Sequence, residues 1–164
     1  AIPDLAHLLG VASLALEAGA DEDQAIAALL HDAVEDGGGL EQLAAIRAKF
    51  GERVAAIVWA CTDSHEEPKP DWRVRKEAYI AGMAAKPEEA LLVSLADKTH
   101  NIGAIHADLE QVGEALWDRF TGGREGTLWY YRALAERFGA LLPGPATERF
   151  RRRVEAVARA ARTA

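Results

Sequence analysis

"PEEALLVSLADKTHNIGAIHADL", residues 87–109, decides the fold class. Its centre, "LLVSL", is short and apolar enough for a buried strand. Around that centre, however, apolar residues return at helical spacing, and Pro87 suits the first turn of a helix. The stretch therefore predicts one long helix whose apolar body gives way abruptly to the polar run Asp97–Asn101.

Working outward, the neighbouring segments follow the same period. "DWRVRKEAYIAGMAA" (71–85) reads as a helix, and the prolines of "SHEEPKP" (64–70) make a loop before it. "LEQLAAIRAKFG" (40–51) and "ERVAAIVWACTD" (52–63) form two helices joined at Gly51. "DEDQAIAALLHDAVEDGGG" (21–39) opens on Asp21 and Asp23, good charges for a helix start, and stops at three glycines. "LAHLLGVASLALEAG" (5–19) puts Leu5, Leu8, Leu9, Ala12 and Leu16 on one stripe and ends at Gly19. Downstream, the loop "TGGREG" (121–126) leads into "TLWYYRALAERFG" (127–139). After "LLPGP", the segment "ATERFRRRVEAVARAAR" (146–162) closes the chain as a helix that is Arg-rich on its outer face. No run alternates like a strand and no segment repeats. The expectation is an all-α fold of about seven or eight helices, a single-domain bundle over residues 1–164 held by apolar stripes.

Composition narrows the function. With 49% hydrophobic and 27% charged residues, the 164-residue chain can bury a sizeable core under an ordinary polar surface. No apolar run approaches the roughly 18 residues of a membrane span, and no signal-peptide pattern is present, so a cytoplasmic location is expected. Cys61 stands alone on an apolar stretch and reads as a small core residue. A net charge of −7 argues against nucleic-acid binding. "RFRRR" (149–153) is accordingly a solvated helix face, interleaved with Glu148 and Glu155. The four tryptophans, Trp59, Trp72, Trp117 and Trp129, are expected in the core or at a pocket rim. The chain begins without Met, and further residues are expected upstream of Ala1.

Chemistry concentrates in "LLHDAVED" (29–36). On a helix, residues three or four apart share a face. His31 would stack with Glu35, and Asp32 with both Glu35 and Asp36. Three carboxylates so close repel one another unless a cation or raised pKa values relieve them. A divalent metal does so directly, with His31 and Asp32 as ligands and Glu35 and Asp36 one turn on as acid/base groups. Further ligands can come from few places. His7 occupies a position where the apolar stripe would prefer Leu, and Asp97 follows a strongly apolar run, with Asn101 one turn later on its face. Lys98 and His100 point off that face, and His100 and His106 are expected behind the ligands or at the surface. His65 sits in a loop with no partner in sight.

His7, "HDAVED" (31–36) and "LADKTHN" (95–101) together resemble the H…HDxxED…LADxxHN pattern of the HD-domain phosphohydrolases. More narrowly, the chain is similar to the hydrolase domain of RelA/SpoT proteins and to the stand-alone small alarmone hydrolases. "KFGERVAAIV" (49–58), Arg75–Lys76 and "REGTLWYYRALA" (124–135) extend the likeness over most of the chain. The resemblance implies that His7, His31, Asp32 and Asp97 hold one Mn²⁺, with Fe²⁺, Co²⁺ or Zn²⁺ also compatible with such a donor set. It implies that Glu35 and Asp36 position and deprotonate the attacking water. Asn101 would shape the pocket beside the nucleotide, and Arg75, Lys76 and Arg124 would face its phosphates. The expected reaction is hydrolysis of the 3′-pyrophosphate of ppGpp or pppGpp, giving GDP or GTP and pyrophosphate. The pattern departs at Asp4, where the family carries Tyr after the proline, and the family's basic segment upstream is missing from the sequence. Both departures bear on the nucleobase and neither on the metal. Two other readings stay open on sequence: an HD phosphohydrolase for another nucleotide, such as an NADPH 2′-phosphatase or a nucleoside monophosphate phosphatase, and a helical module without activity.

Overall fold

The computed structural model describes residues 3–62 and 70–162, with the side chain of Asp36 outside it. Most of the predicted loop 64–70, including His65, therefore lies outside the described residues. Within them the protein is all helix, with no strand: α1 (Asp4–Glu17), α2 (Glu22–Leu30), α3 (Ala33–Asp36), α4 (Gly39–Phe50), α5 (Glu52–Cys61), α6 (Trp72–Gly82), α7 (Glu88–Val112), α8 (Gly123–Leu141) and α9 (Pro145–Ala160). Short 3-10 segments at Met83–Ala85 and Gly113–Arg119 flank α7. The all-α reading holds, and "LLVSL" is helix. None of these helices is long and apolar enough to cross a membrane.

The 25-residue α7 is the axis. An apolar run that could pass for a strand is, in a helix, a rod with buried residues all round. Ala90, Val93 and Ala96 join one core cluster with α1, α2, α4 and α5. Leu91, Leu95, Ile102, Ile105 and Leu109 join a second with α6, α8 and α9. At helical spacing these two sets fall on opposite sides of α7. Asp97, in register with Ala90 and Val93, thus comes to lie at the edge of the first cluster.

Two expectations need correction. The predicted leucine stripe of α1 faces outward: Leu5, Leu9 and Leu16 are 66%, 56% and 53% exposed. The buried stripe is Val11, Ala12 and Ala15, because small side chains let α1 lie close against α2 and α7. His7 is in helical register with Val11 and Ala15, which turns it inward. The second correction concerns "DEDQAIAALLHDAVED". Asp21 and Gln24 close a reciprocal capping box at its start, but the helix stops at Leu30 and resumes only as the single turn of α3. That break supplies the ninth helix.

The second cluster depends on a close approach at the start of α8. A Cβ added to Gly122 would stand 2.5 Å from Cη2 of Trp72. Since Gly122 has an ordinary φ of −79°, only space forbids a side chain there. Gly122→Ala is expected to destabilise by about 1–3 kcal/mol through overpacking, read as a fall of several degrees in the thermal midpoint. Among the other tryptophans, Trp117 is buried, Trp129 is half-buried and Trp59, against expectation, is exposed. Cys61 matches its core reading: its thiol meets Ala90 O and Ser94 Oγ, and burial pushes its pKa up to about 11. On α9, Arg149 and Arg151 pair with Glu17 and Glu148, as a solvated face would.

Candidate metal centre

The helix break creates the centre. His31 caps the C-terminus of α2, and its Nδ1 donates to Ala28 O at 2.7 Å. That carbonyl belongs to the last turn of α2, where a helix leaves acceptors unsatisfied. The bond places the His31 proton on Nδ1 and turns Nε2 inward, where the residue is only 3% exposed. From α1, His7 brings its own Nε2 to 3.3 Å from His31 Nε2. From α7, Asp97 Oδ1 stands 3.4 Å from His7 Nε2 and 3.5 Å from His31 Nε2. Asp32 Oδ2 closes the group at 3.1 Å from His31 Nε2 and 3.7 Å from His7 Nε2, on a side chain that is 42% exposed.

These spacings can be tested against an ion. Donor atoms about 2.1 Å from one cation stand about 3.0 Å apart in an octahedron and about 3.4 Å apart in a tetrahedron. The separations of the two imidazoles from each other and from the two carboxylates, 3.1–3.7 Å, fall in and just above that range. Two imidazole nitrogens and the Asp97 carboxylate, with the Asp32 carboxylate beside both imidazoles, are also the right chemistry for a divalent transition metal. His7, His31 and Asp97 form a tight cluster of this kind among the described residues, buried or nearly so. The residues fit the group.

The supporting shell holds the centre in place. Asn101 Nδ2 donates to Asp97 Oδ1 at 2.6 Å, and Lys98 Nζ meets Asp97 Oδ2 at 2.7 Å. Burial alone would raise the Asp97 pKa. The Lys98 charge and the hydrogen bonds from His31 and His7 outweigh it and hold the carboxyl well below its usual range. Burial likewise opposes the Lys98 charge, but Asp97 beside it holds the ammonium well above its usual value. For His31, burial favours the neutral ring, yet the hydrogen bonds to Asp32 and Asp97 prevail and raise it to about 10. His7 Nδ1 lies 3.0 Å from Nδ1 of His100, whose own pKa is lowered by burial and by the charge of His7.

Beside the centre lies a cavity of about 420 Å³, lined among others by Trp72, Lys76, Lys98, Asn101, Thr127 and Tyr130. It adjoins the centre through Lys98 and Asn101, the two residues that hold Asp97. A larger hollow of about 990 Å³, lined by Glu17, Gln24, Leu92, Pro143 and Arg149, contains none of these side chains.

The residues anticipated from sequence divide clearly. His7, His31, Asp32, Asp97 and Asn101 come together, and Lys76 lines the adjoining cavity with its ammonium 5.1 Å from the Tyr130 ring. Glu35 is half-buried on α3, one turn past Asp32; Asp36 follows it in the backbone, its side chain outside the described part. Arg75 is not in the cavity lining, and its Nε donates to Pro70 O. Arg124 is also absent from the cavity: the predicted loop is helix from Gly123, and its guanidinium binds Ala161 O and Glu114. Lys98, expected off the face, is at the site, because a long side chain can fold back onto its neighbour's carboxylate. His100 stands behind His7, and His106 reaches Glu110 on the surface of α7.

The sequence matches the HD domain model over residues 1–128, and the chain belongs to that family. It is 29% identical over 143 residues to the guanosine-3′,5′-bis(diphosphate) 3′-pyrophosphohydrolase of Haemophilus influenzae, covering 84% of this chain and 19% of that protein. It is 34% identical over 142 residues to the GTP pyrophosphokinase of Streptomyces coelicolor, covering 84% and 15%. The chain thus spans less than a fifth of the length of these curated relatives. Among solved structures it is similar to lmo0812 from Listeria monocytogenes EGD-e, with 31% identity, a TM-score of 0.78, and 91% and 96% of the two chains covered. It shares its fold with a metazoan ortholog of SpoT that hydrolyzes ppGpp, at 24% identity, a TM-score of 0.71, and coverage of 96% and 80%.

Proposed function

We propose that this chain is a metal-dependent phosphohydrolase that removes the 3′-pyrophosphate of ppGpp or pppGpp, releasing GDP or GTP and pyrophosphate. One observation carries the reading: ligand atoms of His7, His31 and Asp97 converge, with Asp32 beside the two imidazoles, next to a cavity that offers cations and aromatic rings together. The hydrolase names borne by relatives such as that of Haemophilus influenzae support the substrate.

His7, His31, Asp32 and Asp97 would hold the ion, and the mixed nitrogen and oxygen set suits Mn²⁺ or Fe²⁺, with Co²⁺ and Zn²⁺ tolerated. A bound divalent ion supplies an acidified water and neutralises charge on phosphoryl oxygens. The remaining work belongs to the chain. Asn101 and Lys98 fix the orientation of Asp97. Lys98 and Lys76, lining the cavity, meet the phosphates and balance their charge. Trp72 and Tyr130, which line the cavity, would pack against the nucleoside. The Glu35–Asp36 pair orients the attacking water and accepts its proton. Water adds to the phosphorus bonded to the ribose 3′-oxygen, that P–O bond breaks, and the proton taken from the water is returned to the leaving 3′-oxygen. A small nucleotide rather than a nucleic acid fits the net charge of −7, and a cytoplasmic setting fits that substrate.

The test is an assay on purified protein with Mn²⁺ and ppGpp, following GDP and pyrophosphate. Both products should appear in equal amounts and vanish on chelation with EDTA. Orthophosphate released from NADPH or a nucleoside monophosphate, with ppGpp untouched, would replace the substrate named here while keeping the metal chemistry. A metal-replete protein inert to all of them would leave the helical module.

A further inference from the structure

The two imidazoles of the centre are held differently. His31 gives its Nδ1 proton to a backbone carbonyl, which can only accept, so its tautomer is settled by the main chain. His7 gives its Nδ1 to another imidazole, and a neutral imidazole can accept or donate at either nitrogen. Nε2 of His7 faces His31, Asp32 and Asp97 and must keep its lone pair to serve as a ligand. Its proton then sits on Nδ1 and passes the hydrogen bond to Nδ1 of His100, whose own proton is on Nε2. The ring of His100 reaches this position only because residue 10 has no side chain. A Cβ on Gly10 would stand 2.2 Å from His100 Nε2 and 2.3 Å from Cδ2. His100 also lines a surface hollow with Gly10, Ser13, Gly103 and Arg153, so a protonated Nε2 has solvent within reach.

We propose that His100 is a positioning residue for the metal centre, accepting from His7 Nδ1 to fix the tautomer and plane of that ligand, and that Gly10 is the space it requires. The inference rests on the reading of His7 as a ligand. Partners of this kind, one bond removed from a metal, typically change metal affinity by about 10–100-fold when lost.

The measurement is the dissociation constant for Mn²⁺ by calorimetry on the whole chain, with circular dichroism melts to confirm folding. His100→Phe, which keeps a ring but no acceptor, should weaken binding about 10–100-fold. His100→Asn, which returns an acceptor oxygen to the place of Nδ1, should stay within about threefold of the parent. Gly10→Ala should reproduce the Phe variant by displacing the ring, and should cost nothing further in a His100→Ala background, where the ring is gone. Parental affinity in His100→Phe, or an Asn variant as weak as Phe, overturns the positioning role alone. A parent protein that takes up none of Mn²⁺, Fe²⁺, Co²⁺ and Zn²⁺ overturns the ligand reading beneath it, and the two failures are told apart by the parent titration.

Discussion

Asp97→Ala is expected to bind no divalent ion, to hydrolyse no ppGpp, and to melt well below the parent. Four side chains meet at this carboxylate. Oδ1 faces both imidazoles and accepts from Asn101, while Oδ2 meets Lys98. Removing it takes a ligand from the centre and leaves the Lys98 ammonium, only 17% exposed, without its counter-charge. Breaking a buried pair from one side costs about 3–5 kcal/mol, or roughly 6–20 °C in the thermal midpoint for a chain of this length. Asp97→Asn separates the two effects. Its amide oxygen can still accept from Lys98, so most of the stability should return, whereas metal uptake should stay lost. The same carboxylate sets a pH dependence in the metal-free protein. A folded pKa held well below the ordinary aspartate value of 3.8 gives stability that is fully present above that pH. It is lost as the pH falls toward the depressed folded value, and the Asn variant should lack this acid limb. Calorimetric titration with Mn²⁺ and melting curves from about pH 2 to 7, spanning the usual carboxylate pKa, check both statements. An Asp97→Ala protein that still takes up Mn²⁺ at parental affinity would remove Asp97 from the ligand set.

How much of this could be read from the sequence depends on which physical interaction decides each residue. The helices were legible because apolar period and capping are local; even the strand-like "LLVSL" resolves once the surrounding period is counted. His7 was legible as an imidazole where a leucine was expected. The face of α1 was misread, since period alone gives two candidate stripes and the larger side chains suggest the wrong one. Small residues decide here, because Val11, Ala12 and Ala15 allow close helix contact and leave Leu5, Leu9 and Leu16 outside. The break at His31 was not legible. It depends on one side-chain bond to Ala28 O, and nothing in "AALLHDAVED" distinguishes that bond from a continuing helix. Lys98 reads as off the face because helical wheels place Cα atoms, not the ends of long side chains, whereas His100 stands behind a ligand, as expected. Arg124 reads as a phosphate contact until α9 is folded against α8, where its guanidinium meets the end of that helix. The glycine at position 10, opposite His100, is the one signal that could have placed that ring.

Glu35→Gln should retain parental Mn²⁺ affinity and stability while losing about 10²–10⁴-fold in kcat. The division of labour along "HDAVED" follows from the helix break. His31 and Asp32 lie in the turn between α2 and α3 and reach the other imidazole and each other. Glu35 is half-buried on α3, one turn past Asp32, which places it beside the ligands as the acid/base group of this reading. Glutamine keeps its volume and hydrogen-bonding reach but cannot take a proton from water, so the loss should fall on turnover rather than on binding. Asp32→Ala provides the contrast. Its carboxylate is 42% exposed, so deleting it should cost little stability while metal affinity and activity fall together. The two variants thus exchange signatures: one keeps the ion and loses turnover, the other loses both. Paired Mn²⁺ titrations and single-turnover rates on ppGpp make the comparison. Equal metal loss in Glu35→Gln and Asp32→Ala would place Glu35 among the ligands, and the proton would then need another acceptor, with Asp36 the next residue to replace.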